Sequence, residues 1–226
     1  MITKNFLVKV CGMKDADNIR EVEALGIDWL GFIFWPKSSR YVSEVPEYLP
    51  KKCKRVGVFV DASIGDVMSQ TEAFGLDIIQ LHGQESPSYI TQLRPHLEAL
   101  SHSSTPRPYR GGTRGGVGII KALNIASESD LEAAKRYEGV VDYLLFDTKG
   151  KMVGGNGEKF DWSVLDSYAG ETPFLLSGGI GPDDAARVQA FQHPKCIGID
   201  LNSKFELSPA LKDVEKLKRF LENVKM

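Results

Sequence analysis

At 226 residues, 42% hydrophobic and 26% charged, the chain has the size and composition of one or two globular domains. Its formal net charge of -2 argues against a general nucleic-acid binder or a binder of acidic membranes, and no apolar run reaches the roughly 18 residues of a membrane span. Cys11, Cys53 and Cys196 are odd in number and far apart, which fits neither a disulfide framework nor a zinc site.

The chain opens with Phe6-Leu7-Val8-Lys9-Val10-Cys11-Gly12, a short apolar strand that ends in a thiol and a glycine. The segment before it has no signal-peptide layout, so a cytoplasmic protein with reduced thiols is expected. A helix is predicted from Asp15 to Gly26, with Ile19, Val22 and Leu25 on one face. Trp29 to Phe34 reads as a second strand. It is followed by the polar loop Pro36 to Tyr41 and a short helix around Glu44 to Leu49. Arg55 to Val60 is a third strand and Ser63 to Phe74 a helix. Asp77 to Leu81 is a fourth strand, followed by a helix from Ser86 to Leu100.

The stretch from about 101 to 116 breaks the rhythm. It is rich in Ser, Pro, Arg and Gly and reads as a flexible surface insertion. The alternation then resumes with a strand from Val117 to Ala122 and a helix from Glu128 to Tyr137. A strand from Val141 to Phe146 ends at Asp147. A glycine-rich loop through Gly157 and a short helix at Asp161-Trp162 precede the seventh strand, Pro173 to Leu176, which ends in Ser177-Gly178-Gly179. Pro182 to Phe191 reads as a helix, Cys196 to Leu201 as the eighth strand, and Ser208 to Val224 as the closing helix.

Eight near-continuous apolar strands alternating with helices imply a parallel sheet buried on both faces. In little more than 200 residues this fits one α/β domain spanning 1–226, a single (β/α)8 TIM barrel with a parallel eight-stranded core. An open doubly wound sheet is the competing arrangement, but the dinucleotide-binding fingerprint is missing after the first strand.

A barrel builds its active site at the C-terminal strand ends. Those ends supply Cys11, Arg40, Asp61, His82, Asp147, the Ser177-Gly178-Gly179 turn and Asp200 to Ser203. The turns after strands seven and eight are where barrels bind phosphate, through exposed backbone N–H groups. Cys11 is either a reagent or a small buried residue, since free cysteines favour the interior. Asp147 is either a turn residue or an acid/base. Arg40 is either a solvated cation or a bidentate clamp on a carboxylate. His82 is either a turn histidine or a substrate contact. No cluster has metal-ligand spacing.

Several stretches resemble the phosphoribosylanthranilate isomerase family of tryptophan biosynthesis. They are Lys9-Val10-Cys11-Gly12, Gly31 to Val42, Val56 to Val60, Gln80-Leu81-His82-Gly83, Phe146 to Gly150, Gly154-Gly155-Asn156-Gly157, Phe160-Asp161-Trp162, Leu176 to Ile180 and Gly198 to Ser203, in the family's order. The resemblance implies a cofactor-free Amadori rearrangement of N-(5-phosphoribosyl)anthranilate to 1-(2-carboxyphenylamino)-1-deoxyribulose 5-phosphate. It assigns Cys11 as general base and Asp147 as general acid, with Arg40, His82 and Asp200 on the substrate. Gly155, Gly178, Gly179, Asn202 and Ser203 would hold the phosphate. The expected partner is thus a small phosphosugar, with no nucleic acid or membrane, bound by a monomer or homodimer. The base role requires the Cys11 thiol to fall toward neutral pH. The chain departs from the family pattern at Ser39, usually proline, at Lys204, commonly glycine, and in the longer 101–116 insertion. A barrel acting on the histidine-pathway aminoaldose, and a barrel that only binds a phosphate ligand, are the alternatives.

Overall fold

A computed structural model describes residues 6–101, 116–148 and 161–225. Eight parallel strands close into a barrel in chain order: β1 (Leu7–Cys11), β2 (Trp29–Ile33), β3 (Lys54–Phe59), β4 (Ile78–Leu81), β5 (Gly118–Ile125), β6 (Tyr143–Thr148), β7 (Phe174–Ser177) and β8 (Cys196–Leu201). β8 pairs back onto β1, with Lys9 opposite Asp200. The expected barrel is therefore the fold observed.

Two apolar layers follow from the two-residue period of the strands. Trp29, Val56, Ile78, Ile120, Ala122, Leu145 and Leu175 fill the barrel interior. Their alternates, among them Val8, Val10, Leu30, Phe32, Ile79, Leu144, Phe146 and Leu176, face the surrounding helices. The helices are α1 (Ala16–Ala24), α2 (Ile64–Phe74), α3 (Pro87–Ser101), α4 (Ala185–Ala190) and α5 (Val214–Lys225). α1 starts at Asp15, whose side chain accepts from the Asn18 amide, and α2 starts in the same way at Ser63. Val67, Thr71 and Phe74 are the buried residues of α2, whereas Ala73 is exposed.

The outer layer differs from the expected run of eight helices. Residues Glu44 to Leu49 form no helix, because Pro46 and Pro50 break the backbone hydrogen-bond pattern. That segment is instead fastened by buried Glu23, which accepts from the Tyr48 hydroxyl and the Lys51 and Lys52 amides. Glu128–Tyr137 and Trp162–Ser167 are 3₁₀ rather than α-helical, and Pro182–Asp184 is a 3₁₀ turn leading into α4. The predicted closing helix begins six residues late. Before it stands a small hairpin, β9 (Glu206–Ser208) and β10 (Leu211–Lys212), turned by Pro209 and Ala210. The 101–116 insertion lies almost wholly outside the described residues. Its flanks, the end of α3 and the start of β5, are on the N-terminal side of the barrel.

One buried ion pair fixes the turn after β4. Lys121 donates to the Leu81 and Gly83 carbonyls at 3.2 and 2.8 Å and to Glu85 Oε2 at 3.2 Å. Glu85 in turn accepts from the amides of Asp61 and Gly83. Both side chains of the pair are 2% exposed. Removing one partner of such a pair leaves a buried charge without compensation. Lys121→Met should therefore cost about 3–5 kcal/mol, measured by urea denaturation, and wild-type stability would show that Glu85 finds another partner.

Candidate active site

Cys11, Gln80, His82, Asp147, Ser177, Gly178, Gly179, Asp200, Asn202, Ser203 and Lys204 line one cavity of about 210 Å³ at the C-terminal ends of the strands. Ile33, Val58 and Ile180 supply its apolar wall. The structure thus brings together the expected acid and base, His82, Asp200 and the turns after β7 and β8.

Cys11 ends β1, and its side chain is shielded from solvent. Gly31 is its register partner on β2. A Cβ at Gly31 would lie 2.8 Å from the Cys11 sulfur, so the absence of a side chain there makes the space for the thiol. Burial pushes the thiol above its ordinary value, against the downward pull of Lys9. Desolvation thus outweighs the neighbouring cations and opposes the fall toward neutrality that the base role requires.

Lys9 lies two residues earlier on the same inward face and is fully buried. Its ammonium donates to Asp200 Oδ1 at 2.8 Å. Burial alone would lower Lys9, but Asp200 and Cys11 together raise it. Asp200 Oδ2 also accepts from Ser177 Oγ at 3.2 Å. Asp200 thus lines the cavity as the counter-ion of Lys9. Sequence reading passed over Lys9, although a lysine two residues before Cys11 in an apolar strand is a signal of a buried, paired charge.

Asp147, near the end of β6, faces His82 across the cavity, with His82 Nε2 3.5 Å from Asp147 Oδ2. Gln80 Nε2 lies 3.3 Å from His82 Nδ1. With the amide donating to Nδ1, the neutral ring carries its proton on Nε2, toward Asp147. Gln80 Oε1 is buried and makes no hydrogen bond among the described residues. Asp61, in the loop after β3, is tied to the turn after β4, where its carboxylate accepts from the Gln84 amide at 2.6 Å.

Gly178 and Gly179 have φ of 97° and 66°, a backbone that L side chains rarely adopt. The two residues turn the chain from β7 toward α4 at the cavity wall. Beside them, Asn202, Ser203 and Lys204 leave the neighbouring strand β8, and Lys204 brings a cation to the same wall. Gly155 lies outside the described residues.

Arg40 does meet a carboxylate, as its residue type suggested, but the carboxylate belongs to the protein. Arg40 Nε and Nη2 donate to Glu206 at 2.8 and 2.5 Å. Lys212 donates to the same Glu206 and to Asn202 Oδ1. Neither Glu206 nor Lys212 stood out in the sequence, because both fall in the hairpin whose second half was read as helix.

A closed parallel barrel with a thiol and a carboxylate in one cavity at its C-terminal strand ends defines a (β/α)8-barrel enzyme. The family model described as N-(5'phosphoribosyl)anthranilate (PRA) isomerase matches residues 8–110 and 100–223. N-(5'-phosphoribosyl)anthranilate isomerase of Phocaeicola vulgatus is 46% identical over 97% of this chain and 98% of that protein. The Parabacteroides distasonis protein of the same name is 45% identical over 96% and 93%. The phosphoribosylanthranilate isomerase structure from Thermotoga maritima superposes with a TM-score of 0.74 at 28% identity, covering 97% of this chain and 98% of that one. A phosphoribosylanthranilate isomerase in complex with reduced 1-(o-carboxyphenylamino)-1-deoxyribulose 5-phosphate has a TM-score of 0.72 at 26% identity, over 97% and 98%. The chain belongs to the N-(5'-phosphoribosyl)anthranilate isomerase family, and it is an isomerase of the aldose–ketose type.

Among the described residues no group of three or more His, Cys, Asp or Glu could hold a metal, and no helix is long and apolar enough to cross a membrane. Gly31→Ala should displace the thiol and lower kcat/KM about 100-fold while the protein stays folded. Steady-state kinetics beside circular dichroism would check this, and unchanged kinetics would mean that the sulfur has room to move.

Proposed function

We propose that the chain catalyses the Amadori rearrangement of N-(5-phosphoribosyl)anthranilate in tryptophan biosynthesis, with Cys11 as general base and Asp147 as general acid. The observation that carries this reading is the shared cavity of these two residues, walled on one side by the two turns that follow β7 and β8. Asp147 gives a proton to the ribose ring oxygen, and the ring opens to a Schiff base. The cationic nitrogen acidifies the neighbouring sugar C–H. The Cys11 thiolate takes that proton, leaving an enaminol that tautomerises to the ketone. The substrate gains one proton and loses one, so no redox partner is needed. The thiol proton returns to the carboxylate through solvent.

Cys11 must lose its proton before it can act as the base, and burial opposes that loss. Lys9 beside it supplies the positive charge a thiolate needs when it forms. His82, 3.5 Å from Asp147, contacts the substrate beside the acid. Gly178, Gly179, Asn202 and Ser203 receive the phosphate, joined by Gly155 and by the cation of Lys204. Asp200 contacts the substrate from its place beside Lys9, and Arg40 receives the anthranilate carboxylate.

Consumption of anthranilate fluorescence by the purified protein tests the reaction, and rescue of a tryptophan-requiring strain lacking this isomerase tests the pathway. Cys11→Ala and Asp147→Asn should each slow turnover by about 10²–10⁴-fold, and full activity in both would sink the assigned roles. Cys11→Asp should retain some activity, and Cys11→Ser almost none, since a hydroxyl is too weak a base. The pH profile of the acid-free variant offers a separate check. In Asp147→Asn only the thiol has to change its protonation, and burial raises it, so the residual kcat/KM should climb with pH into the alkaline range. Adding Cys11→Asp to Asp147→Asn should move that climb to acid pH, because a carboxylate ionises there. A residual activity in Asp147→Asn that is flat from neutral to alkaline pH contradicts a thiol base.

A further inference from the structure

The hairpin β9–β10 sets one carboxylate against two cations. Glu206 Oε1 accepts from Arg40 Nε at 2.8 Å, Lys212 Nζ at 2.6 Å and the Ala210 amide at 3.2 Å, and Oε2 accepts from Arg40 Nη2 at 2.5 Å. The Glu206 side chain is 5% exposed and that of Lys212 is fully buried. The hydrogen bonds from Arg40 and Lys212 outweigh burial and hold Glu206 below the usual carboxylate range. Glu206 is thus an anion, and the trio carries one net positive charge beside the cavity.

The geometry of Arg40 gives this cluster a direction. A guanidinium has five N–H donors in a planar fork. Glu206 takes the edge formed by Nε and Nη2, which leaves the edge formed by Nη1 and the second Nη2 hydrogen. The arginine stem crosses directly over Gly12, the residue after Cys11: a Cβ there would lie 2.6 Å from Arg40 Cδ and 2.9 Å from Asn202 Oδ1. Lys212 fixes Asn202 from the other side, at 2.8 Å. One carboxylate therefore joins the loop after β2 to the turn after β8, across the residue that follows the thiol.

We propose that Glu206 is the positioning residue of Arg40. It occupies one edge of the guanidinium so that the other edge is held toward the aromatic carboxylate of the substrate. This rests on the reading that Arg40 receives that carboxylate. Its effect falls on substrate affinity and leaves the proton transfers at Cys11 and Asp147 unchanged. A role confined to holding the hairpin would not discriminate between substrates with and without a carboxylate.

The test is a double-mutant cycle in the full chain, with thermal unfolding followed alongside. Glu206→Gln keeps the shape and removes the charge. It should raise KM for N-(5-phosphoribosyl)anthranilate about tenfold with kcat within about twofold, and Glu206→Asp should restore part of that loss. Arg40→Ala should raise KM further, and adding Glu206→Gln to it should have no additional effect on KM. With the aniline analogue, which lacks the carboxylate, Glu206→Gln and wild type should share one KM. If Glu206→Gln does not fold, Glu206→Asp takes its place in the cycle with a smaller expected rise. A raised KM in Arg40→Ala combined with an unchanged KM in the folded Glu206 variant overturns the proposal, as does a full additional effect of Glu206→Gln in the Arg40→Ala background. A wild-type KM in Arg40→Ala overturns instead the reading of Arg40 on which the proposal rests.

Discussion

The barrel closes where the ammonium of Lys9 on β1 meets the carboxylate of Asp200 on β8. Taking either charge out of water costs several kcal/mol, and the pair holds only because each supplies the other's counter-charge at 2.8 Å. An apolar pair of the same volume would close this seam as well or better. What an apolar pair lacks is a cation next to Cys11. Lys9, one half of the pair that completes the fold, thus also offsets part of the cost of forming a thiolate in a buried site, while Asp200 pulls the other way.

The same arrangement recurs around the ring. Lys121 pairs with Glu85 beneath the turn that carries His82, and Lys212 pairs with Glu206 beside Arg40 and Asn202. Each lysine is buried, and each anchors a segment that leads into the cavity. A loop joined to the barrel by hydrogen bonds between buried charges has few alternative positions, since each move would leave a charge unpaired. The site therefore takes its rigidity from ion pairs beneath it.

The strands were legible because each is a local apolar run. Their C-terminal ends were legible as well, so Cys11, His82, Asp147, Gly178, Gly179, Asp200, Asn202 and Ser203 could be placed on one cavity without coordinates. The outer layer was less so. An apolar period does not separate an α-helix from the 3₁₀ turns at 128–137 and 162–167. At Glu44 to Leu49 the prolines spoke against the helix expected there. The ion pairs were hidden for a different reason. Lys9 and Asp200 are 191 residues apart, and Arg40 and Glu206 are 166 apart. Only strand order and barrel closure bring such partners together. Lys9 was the exception that could have been found, since it shares an inward face with Cys11 in an otherwise apolar strand.

The hairpin β9–β10 also has a temporal consequence. Arg40 is made early in synthesis, but the carboxylate that holds its guanidinium arrives only with residue 206, and the lysine that completes the cluster with residue 212. Cys11 likewise waits for β8 before its barrel wall exists. A chain extended only through its seventh strand has an unanchored arginine and an open seam. Binding competence thus depends on residues made after all eight strands, and a chain cut before the hairpin lacks the anchor of Arg40.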